Sequence, residues 1–158
     1  MADLKGKRIC YPDRSSTTGF ALPRAFLKRE GFDPDKGFRE VVFSGNHTSA
    51  LRDLTDDKCD VAGTYSGALL GADEQGIPVS RLRVLAITGR TPHDTIVTGP
   101  KTARQDVASV KAALLSFDPQ EDLGVTRVGE FERVTGFVEA PDRAYADLRA
   151  ALGMSVPD

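Results

Sequence analysis

The sequence predicts an α/β fold: a mainly parallel sheet between helices, three layers in all, followed by C-terminal helices. Two observations carry this. Short apolar runs rich in Val, Ile and aromatic residues alternate with helix-like runs along the first hundred residues, which is the pattern of βαβ units. Three of those strand-like runs also end in polar, glycine-bearing segments that lead straight into a helix-like run. The expected division is an α/β lobe over residues 1–100. A C-terminal helical segment over residues 101–158 then packs on that lobe or on a partner chain.

The elements follow in order. Residues 7–11 read as a first strand. Asp13-Arg14-Ser15-Ser16-Thr17-Thr18-Gly19 comes next, and residues 20–30 read as a helix. Pro23 removes a helical donor and disfavours helical geometry at Leu22, so this helix starts late or has an irregular first turn. Gly31-Phe32-Asp33-Pro34 stops it. Residues 38–43 are a second strand, Ser44-Gly45-Asn46-His47-Thr48-Ser49 a second polar strand end, and residues 50–56 a second helix. Residues 59–63 are a third strand, followed by Thr64-Tyr65-Ser66-Gly67 and a helix from Ala68. Residues 82–87 and 95–98 are expected as a fourth and fifth strand. Residues 107–117 carry Val107, Val110, Leu114 and Phe117 at helical spacing. Asp118-Pro119-Gln120 reads as a turn, residues 125–138 are ambiguous, and residues 144–152 form a last helix before a frayed tail.

At 158 residues the chain can bury a real core. Its 40% apolar and 28% charged residues fit a globular protein, and a net charge of −2 gives no electrostatic case for nucleic acid or a membrane surface. No run approaches a membrane span, and the first seven residues have no apolar signal region. Cys10 and Cys59 are too few and too far apart for a metal knuckle or disulfide scaffold, and Cys10 reads as core packing. No cofactor and no metal is implied.

The candidate site begins at Ser15 to Gly19. A strand turning into a helix offers free backbone N–H groups and the positive end of the helix dipole. The hydroxyls of Ser15, Ser16, Thr17 and Thr18 add donors, and Gly19 lets the backbone approach a ligand. Two readings are open: an ordinary Ser/Thr helix cap, or a cradle for a tetrahedral oxyanion. In an open parallel sheet the carboxyl ends of the strands share one edge, and ligands bind there at a topological switch point. The three polar strand ends would therefore converge, which favours the cradle. Arg8, Arg14 and Arg90 can assist an anion, but each reads first as a solvated charge.

The order of motifs resembles the phosphonate-, phosphite- and phosphate-binding family of ABC-transporter substrate-binding proteins, which have the type II periplasmic-binding fold. The stretches that carry the resemblance are Asp3-Leu4-Lys5-Gly6-Lys7, Ser15 through Pro23, Ser44-Gly45-Asn46-His47, Asp60-Val61-Ala62 and Pro92-His93-Asp94-Thr95-Ile96-Val97. Ser16-Thr17-Thr18-Gly19 keeps the hydroxyls of a Ser-Thr-Ser-Gly motif, with Thr in place of the second Ser. The resemblance runs from Asp3 to about Pro100 and weakens afterwards. It implies that Ser16, Thr17 and Thr18 hold the oxyanion, that His47 donates to it, and that Asp94 accepts a hydrogen bond at a return crossing between two lobes. Thr64, Tyr65, Ser66 and Gly67 would contact whatever is attached to phosphorus. Gly67 has no carboxylate nearby, so an amine-bearing ligand is disfavoured. The match begins where the family's second lobe begins. The chain thus reads as a truncated or single-lobe binding protein, extracytoplasmic if it is an excised lobe of a transporter protein and cytoplasmic if Met1 is the natural start.

Enzyme signatures are nearly absent. Gly63-Thr64-Tyr65-Ser66-Gly67 has its serine at the wrong offset for a nucleophile elbow, no Lys follows Gly19 as a Walker loop needs, and His47 and His93 lack the spacing of zinc ligands on one helix. A Ser16–His47–Asp94 triad can be drawn, but anion binding accounts for the same residues more simply. The expected partners are a small oxyanion, an ABC permease if the protein serves a transporter, and a second copy of the chain. Phe117, Phe131, Phe137 and Val138 are apolar enough to demand burial in such a homodimer. A one-lobe enzyme and a sensory module without ligand binding are the alternatives.

Overall fold

Strand β1 (Arg8–Tyr11) is the axis of the structure, because Ile9, Cys10 and Tyr11 are at most 3% exposed. The computed structural model describes residues 1–93, 95–126 and 134–154. Strands β2 (Glu40–Phe43) and β3 (Val61–Ala62) pair with β1 on either side, both parallel to it, in the order β2-β1-β3. Cys10 pairs with Val42 on one side and with Ala62 on the other. Arg8 tethers β3 further: its backbone N–H and guanidinium both donate to the Asp60 carboxylate, at 2.8 and 3.1 Å.

Alternation along β1 builds the layers. Ile9 and Tyr11 face one side and pack with Leu27, Phe32 and Phe38, under helix α1 (Leu22–Arg29). Cys10 faces the other side and packs with Ala50 and Cys59, under helix α2 (His47–Thr55). A further cluster joins Leu51 of α2 to Ala68 and Ala72 of helix α3 (Ser66–Glu74) and to Ile77. Each fully buried leucine of this kind contributes about 1.5–3 kcal/mol relative to an exposed one. The α/β, parallel, three-layer reading of the sequence is thus the fold observed.

The irregular entry expected from Pro23 is present as a π-helical turn. Over Thr17–Ala21 the chain winds wide, with the Ala21 N–H donating to the Ser16 carbonyl five residues back at 3.0 Å. Regular α1 begins only at Leu22, with Pro23 in its first turn, where the missing N–H costs nothing. Such single turns gather at functional sites.

Three expectations are corrected. Cys10 and Cys59 do not merely pack: they form a disulfide, with α-carbons 5.8 Å apart. Forty-nine residues of separation obscured in sequence what the parallel sheet brings together. The expected fourth and fifth strands, residues 82–87 and 95–98, are irregular, and among the described residues no strand pairs with them. Val84, Leu85 and Ile87 are 59–73% exposed. Strand propensity reports fit to a paired surface, and without a neighbouring ladder it does not make a strand. The expected turn at Asp118 opens a short helix instead, α5 (Pro119–Leu123), because the Asp118 carboxylate caps the Gln120 and Glu121 N–H groups.

The chain divides into two compact units. One comprises Met1–Thr91 and the segment from Tyr145 on, so that the last helix, α6 (Ala146–Leu152), returns to pack against α1. The other, Pro92–Ala144, holds helix α4 (Arg104–Ser116) and α5. Within it the Phe117 and Phe137 rings pack 5.7 Å apart, and Lys111 pairs with Glu139 at 2.7 Å. Asp94 and Phe131 lie outside the described residues.

Candidate functional site

The site is built where the three strands end. With strand order 2-1-3, the connection after β1 leaves toward one side and the connection after β2 crosses to the other, which makes the gap between β1 and β3 a topological switch point. The loops there approach until their backbones touch. A β-carbon at Gly63 would lie 2.1 Å from the Gly19 carbonyl oxygen, and one at Gly19 would lie 2.2 Å from Pro12 and 2.8 Å from His47. Only glycine fits at either position.

Ser16 ends the first loop and caps the π-turn, its Oγ accepting the Gly19 N–H at 3.0 Å. The same Oγ lies 3.2 Å from His47 Nε2. His47 is the first residue of α2, placed there by Asn46, whose side chain accepts the Ser49 N–H at 2.8 Å. Its Nδ1 is 3.3 Å from Thr64 Oγ1, in the loop after β3. One imidazole therefore links the hydroxyls of the first and third strand ends. Each ring nitrogen faces a hydroxyl that can donate or accept, so either neutral tautomer is accommodated. The Tyr65 ring stands edge-on to His47, centroids 4.8 Å apart, closing one side of the group.

His47 is half-buried, and burial holds its imidazole below the ordinary histidine range while the Asp13 carboxylate pulls the other way. It is thus a neutral hydrogen-bonding group at pH 7. Asp13 is held below the usual carboxylate range chiefly by Ser15, whose hydroxyl and N–H donate to Oδ1 at 2.5 and 2.7 Å. Ser15 is in consequence turned to Asp13 and exposed, rather than grouped with Ser16 and His47. Thr17 and Thr18 are partly buried in the π-turn, and Ser66 is the exposed first residue of α3. Tyr65 precedes α3 with no side-chain cap, and its carbonyl accepts the Ala68 N–H at 3.2 Å.

Of the sequence-derived set, Ser16, His47, Thr64 and Tyr65 are brought into one group. Asp94 lies outside the described residues. Asp13, Arg14 and Gly63 carry more of the architecture than the sequence suggested. For Asp13 the signal was legible, since an aspartate two residues before a serine forms a local turn. Gly63 had no signal beyond being a glycine, because its role depends on a carbonyl forty-four residues away in sequence.

Among the described residues no group of three or more His, Cys, Asp or Glu is placed to hold a metal ion, and no helix is long and apolar enough to cross a membrane. The arrangement offers hydroxyls, helix-start N–H groups and a neutral imidazole, which is the chemistry of a hydrogen-bonding cradle.

Comparison with known proteins gives the same direction. The chain is 28% identical over 71 residues to the phosphate-import protein PhnD of Mycolicibacterium smegmatis, a stretch covering 41% of this chain and 22% of that relative. The matched stretch therefore spans about a fifth of the relative's length. The family model for periplasmic phosphonate substrate-binding proteins of ABC transporters matches residues 1–145. With nearly the whole chain covered, this protein belongs to the family of periplasmic phosphonate-binding proteins of ABC transporters.

Proposed function

We propose that this lobe binds a small tetrahedral oxyanion, namely phosphate, phosphite or a simple phosphonate, in the crevice at the ends of β1, β2 and β3, and presents it to an ABC permease. The observation that carries the proposal is the Ser16–His47–Thr64 chain, which joins residues from all three strand ends through one imidazole. Ser16, Thr17 and Thr18 supply hydroxyl and N–H donors, His47 donates from whichever nitrogen the ligand selects, and Thr64 and Tyr65 border the remaining side. Family membership supports the class of ligand. The absence of a carboxylate in the stretch from Thr64 to Gly67 favours ligands without an amine.

Hydrogen bonds to a charged group contribute about 1.5–3 kcal/mol each, and association costs about 4–15 kcal/mol. The few donors that these three strand ends supply leave a small surplus, so a Kd of about 1 mM is expected, corresponding to about 4 kcal/mol. Calorimetric titration with phosphate, phosphite, methylphosphonate and sulfate tests the assignment. Ser16→Ala or Thr17→Ala should weaken binding at least about tenfold, the loss of one such bond, while the protein stays folded. Unchanged affinity in both variants overturns the site.

One observation favours a second reading. Ser16 Oγ and His47 Nε2, at 3.2 Å, have the separation of a nucleophile and its base. Thr64 then stands where a triad would place a carboxylate. Steady turnover of an activated ester, abolished by Ser16→Ala, would select this hydrolytic reading over binding.

A further inference from the structure

We propose that Arg14 is the residue that steers the anion to this site and favours doubly charged oxyanions over singly charged ones. The proposal rests on the oxyanion reading above.

The crevice described so far has no positive side chain of its own. His47 is a neutral imidazole, and the carboxylate whose charge acts on it, Asp13, is committed to Ser15. Arg14 is the adjoining residue, and its guanidinium carbon lies 4.6 Å from the centroid of the Phe43 ring. Phe43 is the last residue of β2, directly before the segment that carries Asn46 and His47, and it is braced by Phe20 and Tyr11 at 5.7 and 6.1 Å.

Two other arginines of this unit also lie over aromatic rings, Arg24 over Phe20 at 4.9 Å and Arg29 over Phe26 at 5.3 Å, but each of these also meets a carboxylate. Arg8 is paired with Asp60 at the opposite end of the sheet, and Arg24 with Asp35 at 2.6 Å. Arg14 has no carboxylate within ion-pair distance among the described residues. A solvated arginine with nothing to do would be left to wander. This one lies over an aromatic face, which restrains the side chain. The arrangement ties the loop after β1 to the end of β2, on the edge of the sheet where the three strands end.

Coulomb attraction between such a charge and a dianion about 8 Å away in water corresponds to about three- to tenfold in affinity, and half that exponent for a monoanion. It is screened once the Debye length falls well below the separation. The test is calorimetry with inorganic phosphate at pH 8 on wild type, Arg14→Gln and Arg14→Lys, at about 20 mM and about 500 mM ionic strength. At low salt Arg14→Gln should bind about three- to tenfold more weakly, and at high salt the gap should close. Arg14→Lys should stay within about twofold of wild type at both. Phe43→Leu, which frees the guanidinium without removing it, should lose part of the low-salt affinity. If Arg14→Gln matches wild type at low salt, or its deficit persists at high salt, or Arg14→Lys fails as Gln does, charge steering by Arg14 is overturned while oxyanion binding stands. If wild type does not bind phosphate at either salt, the oxyanion reading falls and this proposal with it.

Discussion

The α-carbon of Gly63 rests against the carbonyl of Gly19, so close that a β-carbon there would lie 2.1 Å from the oxygen. Two loops from different strands are thereby held at backbone contact, and that contact sets the separation of Ser16 from Thr64. Backbone cannot yield as the tip of a flexible side chain can. Gly63→Ala should destabilise the protein by about 1–3 kcal/mol, the usual range for overpacking, and should weaken phosphate binding as the third loop moves off the first. Urea denaturation gives the first quantity. A midpoint equal to that of wild type would mean that the loops have room to part.

His47 makes stability depend on pH in a definite direction. Its folded-state pKa is depressed by burial, so the unfolded chain, near the ordinary value of about 6.5, binds the proton more readily. Its contribution is fully present above that value and is lost as the pH falls below it toward the folded-state value. The melting temperature should drop between pH 7.5 and 5 in wild type, and His47→Gln should drop less. Bound phosphate should raise the His47 pKa by favouring the imidazolium, so the ligand-induced stabilisation should grow toward acid relative to the Gln variant. Superimposable profiles for the two proteins would place His47 away from the ligand.

The Cys10–Cys59 bridge closes a loop across 49 residues that contains β2 and α2. Chain-entropy arguments put such a closure at about 4 kcal/mol. Both cysteines are nearly fully buried, so a mild reductant should act only through opening of the fold. A Cys10→Ala/Cys59→Ala variant should unfold at clearly lower urea concentration than wild type. Equal midpoints for the oxidised protein and the variant would show that the bridge adds nothing to the packing around it.

The second unit leaves apolar surface open. Val138 is 87% exposed and Leu123 58%, and the pairing of Phe117 with Phe137 accounts for only part of the apolar side chains there. A homodimer through this unit is expected. Light scattering coupled to size exclusion should give about twice 17.0 kDa, and Val138→Asp should return the protein toward the monomer. A wild-type mass of 17.0 kDa at high concentration would exclude it.

What could be read in the sequence was what local chemistry decides. The apolar run at Ile9, Cys10 and Tyr11 read as the first strand, the polar segments around Ser16 and Asn46 read as strand ends leading into helices, and Pro23 announced the irregular turn that the structure realises over Thr17–Ala21. The grouping of Ser16, His47 and Thr64 followed from the rule that parallel strands present their ends along one edge. What was missed is long-range. The disulfide, the fit of Gly63 on Gly19 and the seat of Arg14 on Phe43 each join residues that become neighbours only after the sheet has formed. The apolar run at Val84, Leu85 and Ile87 misled for the same reason in reverse, since its composition promises a strand that pairing has to supply.

Strand β3 is only two residues long and forms an edge of the three-stranded sheet, yet the loop that completes the cradle hangs from it. So short an edge would fray on its own. Here it is pinned at four points: the Asp60 N–H to the Arg8 carbonyl, the Gly63 N–H to the Cys10 carbonyl, the Arg8–Asp60 clip, and the cysteine bridge just before it. An anion held between Ser16 and Thr64 would act as a fifth pin on the open side. Ligand occupancy would therefore register in the backbone some distance from any donor, as slower amide exchange at Val61, Ala62 and Gly63, and this edge would serve as the protein's own reporter of a filled site.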